Sequence, residues 1–247
     1  IAELLLDSGL DYKGETEPLF GAVMAGSVKL VKRLIGANAD IHGAGAYSVP
    51  WDRESSRYGT PLAAAADTGN EKLVQLFLDA GANPNRWSVD VSGSFYEWEI
   101  NAPLTKAIKF GTHASSSSEV QRATTIAQKL LNAGADIHAR GDDALCQLIK
   151  AWPQGEDDKL GHMTLLKFLL DNGADVNGQC GPEFGTWAVE RPSILCWAAV
   201  SGDTNLVQIL LDHGTDINGK NSKILSYPAR TGDGHMVEFL LDNGADI

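Results

Sequence analysis

"LLDNGADVNG", residues 169–178, decides the fold, because the chain writes it again with small changes. "LLDHGTDING" stands at 210–219, "LLNAGADIHA" at 130–139 and "LFLDAGANPNR" at 76–86. Aligned on the glycine of this unit, the copies fall at Gly9, Asn38, Gly81, Gly134, Gly173, Gly214 and Gly244. Seven copies, at spacings of 29, 43, 53, 39, 41 and 30 residues, mark a repeat protein.

Each copy follows an apolar segment of helical period, such as "LVQLFLD", "LLKFLLD" and "LVQILLD". In the last of these, Leu206, Ile209 and Leu210 stand at i, i+3 and i+4, one face of a helix. The glycine follows directly, where a helix C-terminus needs a left-handed residue to satisfy its last carbonyls. Asn38 replaces it once, and Asn tolerates that conformation best among the other residues. Twelve residues before five of these positions stand Gly26, Gly69, Gly161, Gly202 and Gly232, most of them preceded by a shorter helical segment. In "TPLAAAADTGN", Pro61 suits a first helical turn and the alanines permit close helix approach. The predicted unit is therefore helix, tight turn, helix, sharp C-cap, and stacked neighbours supply the core that no single unit has.

The stretches "TPLAAAADTGNEKLVQLFLDAGANPN" (60–85) and "SILCWAAVSGDTNLVQILLDHGTDIN" (193–218) resemble the ankyrin repeat family, and the resemblance extends over nearly the whole chain. It implies an all-α solenoid of stacked helix-turn-helix units, about six full repeats and a partial one, forming one domain over 1–247. The repeat bounds are about 1–16, 17–59, 60–101, 102–142, 143–192, 193–222 and 223–247. Ile1 stands in mid-pattern and Ile247 inside "NGADI", so a longer parent protein is expected. The family's TPLH turn survives only as "TPL", and Phe20, Ala63, Thr105, Cys146, Cys196 and Ser226 stand where its His would be. This is a divergent array.

The connectors Asn38 to Thr60, Gly81 to Ala102 and Gly173 to Ser193 run 22, 21 and 20 residues, against about 12 for the family. These enlarged fingers carry Trp51, Tyr58, Trp87, Tyr96, Trp98 and Trp187, and four of the six tryptophans lie in them. Aromatics there either pack the finger on its own scaffold or wait for a ligand. Two insertions, "THASSSSEVQRAT" (112–124) and "WPQGEDDKLGH" (152–162), separate the two helices of their repeats, and the serine-rich one is expected to be a solvent-facing loop. Pro228, inside the first helix of the last repeat, should kink that helix or delay its start.

The resemblance places first helices and fingers on a concave face. The outward first-helix positions of the last four repeats then hold Lys106, Lys109, Gln147, Lys150, Trp197, Val200, Tyr227 and Arg230. Four cations and no acid invert the sign of a chain whose net charge is -12. Such a groove can hold a carboxylate, a phosphate or an aromatic side chain.

The acidic balance argues against nucleic acid, which needs clustered cations, and no apolar run approaches the roughly 18 residues of a membrane span. Three cysteines, Cys146, Cys180 and Cys196, follow no paired spacing, so neither a disulfide framework nor a zinc ribbon is implied. A reducing intracellular setting, cytoplasmic or nuclear, fits that count. No catalytic constellation, metal set or cofactor motif emerges. His42 and His138 follow "ADI" in equivalent places, His162 and His235 begin second helices, and Asp175 and Asp216 recur as turn residues. Asn177 and Asn218, each with Leu eight residues before and Asp two before, resemble the asparagines that iron- and 2-oxoglutarate-dependent hydroxylases modify in some ankyrin proteins.

The leading expectation is a protein-interaction module that presents groove and fingers to a partner protein. A second class is an enzyme or small-molecule binder with a pocket roofed by the fingers. A third is a structural spacer that contacts other domains of the parent chain in cis.

Overall fold

The computed structural model of the chain describes residues 16–49, 52–86, 102–138, 144–153, 159–180, 192–219 and 224–246, without the side chains of 46–49 and 52–58. The chain divides into two compact units, Ile1–Ala139 and Arg140–Ile247.

In the first unit, the helix pairs α1 (Glu17–Met24) and α2 (Val28–Gly36), α3 (Pro61–Asp67) and α4 (Glu71–Asp79), and α5 (Pro103–Thr112) and α6 (Ser117–Asn132) each form one helix-turn-helix. First helices pack on first helices, α1 on α3 and α3 on α5, and second on second, α2 on α4 and α4 on α6. The apolar stripes read from the sequence meet in the core, where Leu34, Leu73, Phe77, Ile126 and Leu130 are at most 1% exposed. Side-chain oxygens start the helices. Thr60 accepts from Ala63 N, Asn70 from Leu73 N and Ser116 from Glu119 N, which satisfies donors that a helix N-terminus leaves open.

Two features of this unit differ from expectation. The first finger contains an antiparallel hairpin, β1 (Gly45–Val49) and β2 (Asp52–Gly59), seated on α1, so one connector of an otherwise helical array carries a short sheet. The serine-rich insertion is not a loop. Ser116 caps α6, which runs 16 residues, and Glu119 reaches back to accept from the N–H and hydroxyl of Ser115. This reciprocal cap turns the inserted residues into extra turns of the second helix.

In the second unit the pairs are α7 (Ala144–Lys150) and α8 (Lys159–Asp171), α9 (Ile194–Val200) and α10 (Thr204–Asp212), and α11 (Ser226–Thr231) and α12 (Gly234–Asp242). The first helices α7, α9 and α11 again pack in series. Helix α11 starts late, at Ser226, which puts Pro228 in its first turn, where no intrahelical N–H is needed. Gly161 lies inside α8 and is not a turn glycine, because the insertion before it carries the helix start back to Lys159.

The closing positions are as the spacing predicts. Asn38, Gly81, Gly134, Gly173, Gly214 and Gly244 all have positive φ, from 61° to 91°. At each, the next residue's N–H reaches five residues back, as in Ala82 N to Phe77 O at 2.9 Å and Ala245 N to Leu240 O at 3.0 Å. Gly69 adds a second constraint, since a Cβ there would strike the Phe110 ring, whereas one on Gly81 meets nothing within 4 Å. Gly81→Ala should therefore cost about 1–2 kcal/mol of strain. Gly69→Ala should cost more, about 2–4 kcal/mol, because strain and overpacking add. Urea unfolding of the two variants checks this, and equal losses would contradict the packing at Phe110.

Candidate functional site

In the first unit the outward-facing expectation fails for Lys106. It is 1% exposed and engaged in a polar or ring interaction, as is Asp67 on α3, at 0% exposure. The cause is the alanine run Ala63–Ala66, which has no bulk to hold α5 away, so α5 closes over its own lysine. A charge so placed serves the packing, since burial is tolerable only with compensating partners. Lys109, one turn on, is half-buried.

In the second unit the same helix positions hold larger groups and leave a face. Lys150 ends α7, and its Nζ lies 5.7 Å from the centroid of the Trp197 ring on α9. On α11, the Arg230 guanidinium lies 5.5 Å from the Tyr227 ring centroid. Both distances are within cation–π range. Gln147, three residues before Lys150, is half-buried. Pro192, Cys196, Trp197, Val200 and Tyr227 line a small cleft between α9 and α11. Val200 is 43% exposed, and the indole Nε1 of Trp197 is buried without a hydrogen bond. A buried donor left unsatisfied costs about 1–3 kcal/mol.

A stem positions one wall of that cleft. Cys180 N donates to Pro192 O at 3.0 Å, Ile194 N to Gly178 O at 3.2 Å, and Gln179 pairs antiparallel with Ser193. The Ser193 hydroxyl then caps α9 at Cys196 N. Cys146 of α7 and Cys180 of the stem form a disulfide with Cα atoms 5.5 Å apart. This corrects the expectation of no disulfide. The two cysteines are 34 residues apart and match no motif, and they meet because Cys146 faces inward from a first helix while the stem passes over it. Cys196 remains a buried thiol.

Sequence reasoning also missed a polar cluster at the second insertion. Trp152, 4% exposed, donates its indole N–H to Asp203 Oδ2 at 3.0 Å, and Lys159 Nζ lies 3.1 Å from the same oxygen. Asp203 Oδ1 caps α10 at Asn205 N and Leu206 N. Burial by itself would raise the Asp203 carboxyl, but the bonds from Trp152, Lys159 and Leu206, with the charge of Lys159, outweigh it and hold the group below its ordinary 3.8. His162, also buried, meets the Trp152 ring edge-on at 5.7 Å between centroids. The signal in the sequence was a tryptophan opening an otherwise polar insertion.

The finger residues Trp51, Trp87, Tyr96, Trp98 and Trp187 lie outside the described residues, and Tyr58 is described only as backbone within β2. Asn177 and Asn218 are exposed and act as clamps between successive loops. Asn218 Nδ2 donates to Gly244 O at 2.9 Å and its Oδ1 accepts from Asp246 N at 2.9 Å, and Asn177 does the same with Gly214 and Asp216. Asn85 makes the equivalent pair with Gly134 and Asp136 in the first unit. Among the described residues no group of three or more His, Cys, Asp or Glu side chains could hold a metal ion, and no helix is long and apolar enough to cross a membrane.

Family comparison agrees with the architecture. The model described as "Ankyrin repeats (3 copies)" matches residues 156–247, and "Ankyrin repeat" matches residues 59–88. The fold is similar to the human ASB11 ankyrin repeat domain, with TM-score 0.56 and 21% identity over 93% of this chain and 84% of that one. It is also similar to the ankyrin repeat domain of Bcl-3, described as a unique member of the IkappaB protein family, with TM-score 0.59 and 24% identity over 95% of this chain and 88% of that one. No curated protein matches the sequence significantly.

Titration of the unfolded chain with a thiol reagent, without reductant, should find one free thiol per chain from the three cysteines. Three would contradict the Cys146–Cys180 bond. For Asp203, a lowered folded-state value means that the unfolded state takes up the proton first on acidification. Its stabilising contribution is thus present above the ordinary carboxylate value and lost as pH falls through the folded-state value below it. Asp203→Asn keeps a capping side chain but removes this titration. Urea unfolding between about pH 5 and pH 2 should show a flatter pH dependence for the variant than for the parent, and equal slopes would overturn the assignment.

Proposed function

We propose that this chain, which belongs to the ankyrin repeat family, is a protein-interaction module whose contact face in the second unit is built from Gln147, Lys150, Trp197, Tyr227 and Arg230. The observation that carries this reading is the cleft at Trp197, where a partly exposed aromatic flanked by a cation keeps a buried indole N–H without a hydrogen bond. Exposed aromatics with an adjacent Lys or Arg are the usual anchors of protein interfaces. Lys109 belongs to the first unit and is a candidate contact there, whereas the buried Lys106 is not. The partner is a separate protein or another domain of the parent chain.

Capture of proteins from lysate tests the face. The chain should retain a partner that is lost by the combined variant Trp197→Ala, Tyr227→Ala and Lys150→Glu, with circular dichroism confirming that both proteins fold. A partner retained equally by both would place the contact elsewhere.

A further inference from the structure

Resting on that reading, we infer that the second-unit face takes a short acidic peptide segment, an Asp or Glu beside an apolar side chain, presented in extended form by the partner protein. The second unit is strongly acidic, with 8 Lys and Arg against 16 Asp and Glu over residues 140–247. Yet the outward positions of its first helices, Gln147, Lys150, Trp197, Val200, Tyr227 and Arg230, carry two cations and no acid. The two cations lie over the rings of Trp197 and Tyr227, which line the cleft. At physiological salt a charge is felt over about 8 Å, so a ligand seated on this face responds to Lys150 and Arg230.

The same arrangement excludes other anions. A nucleic acid or an anionic membrane presents many charges over a wide surface, and a unit of net charge -8 with two clustered cations repels it. A small metabolite would need an enclosing pocket, and this cleft, about 10 Å³, has no room for one. A short segment suits it. An Asp or Glu carboxylate pairs with Arg230 or Lys150, and the apolar side chain beside it covers the Trp197 ring, Pro192 and Val200. The peptide backbone then lies across α9 from α7 to α11.

Selection of random linear twelve-residue peptides displayed on phage, against the whole chain, tests this. The selected pool should be rich in Asp and Glu flanking an apolar residue. A synthetic peptide from it should bind about tenfold or more weakly to the Lys150→Gln/Arg230→Gln variant and weaken further with salt. Trp197→Ala, which removes the ring that Lys150 lies over, should weaken it as well, and circular dichroism checks that both variants fold. A neutral or basic pool, or binding indifferent to the double variant, overturns the acidic-peptide inference and leaves the interaction reading standing. No selected peptide together with a lysate partner lost on the Trp197, Tyr227 and Lys150 variant also overturns this inference alone. No peptide and no captured protein overturns both.

Discussion

A helix can be stopped sharply only where its last carbonyls find partners, and among the described residues each second helix of a pair stops at a residue with positive φ. Asn38, Gly81, Gly134, Gly173, Gly214 and Gly244 each bend the chain so that the following N–H reaches five residues back. That bend delivers the next loop to its neighbour, where an Asp or Asn side chain holds its own backbone, as Asp175 does for Asn177 N and Asp216 for Asn218 N. Within each unit the Asn side chains then bridge loop to loop, their amides donating to one backbone carbonyl and accepting from one N–H. Repeats are thus coupled outside the apolar core as well as through it. The recurrence of Asn177 and Asn218 follows from this coupling and needs no chemistry to explain it.

Once spacing is fixed at the helix ends, the size of first-helix side chains decides whether a face closes or stays open. Helix α3 carries four alanines among its seven residues, all of them buried, and α5 packs so tightly against it that Lys106 is covered. Helices α7, α9 and α11 carry Gln147, Trp197 and Tyr227 at matching positions, and the two rings hold the surface apart and keep a cleft. The same backbone plan therefore yields a sealed packing surface in one unit and a small cleft in the other. Composition at two positions per repeat separates them.

What was legible in the sequence is what depends on local chemistry. The positive-φ residues, the apolar stripes, Pro61 in a first helical turn and the late start at Pro228 all follow from rules that act within a few residues. What was not legible depends on neighbours brought in by the fold. Gly161 has the spacing of a turn glycine, but an insertion extends α8 through it. The serines at 115–118 resemble a loop until Glu119 closes a cap over them. Lys106 resembles an exposed lysine until the alanines opposite allow α5 to close. The Cys146–Cys180 bond and the Trp152–Asp203 contact join residues 34 and 51 apart, and no spacing rule anticipates either.

The disulfide and the cleft are parts of one arrangement. Pro192 forms a cleft wall, and it is held by Cys180 N, the Gln179–Ser193 pair and the α9 cap at Ser193. Cys180 is in turn bonded to α7, the helix that carries Lys150. A covalent bond and three hydrogen bonds therefore position the residues around Trp197 before any partner arrives. Binding loses affinity when side chains and loops must be ordered at the moment of contact. A finger stem tethered at its base avoids much of that loss beside Trp197, where among the described residues an unpaired donor, two cations and two rings come together.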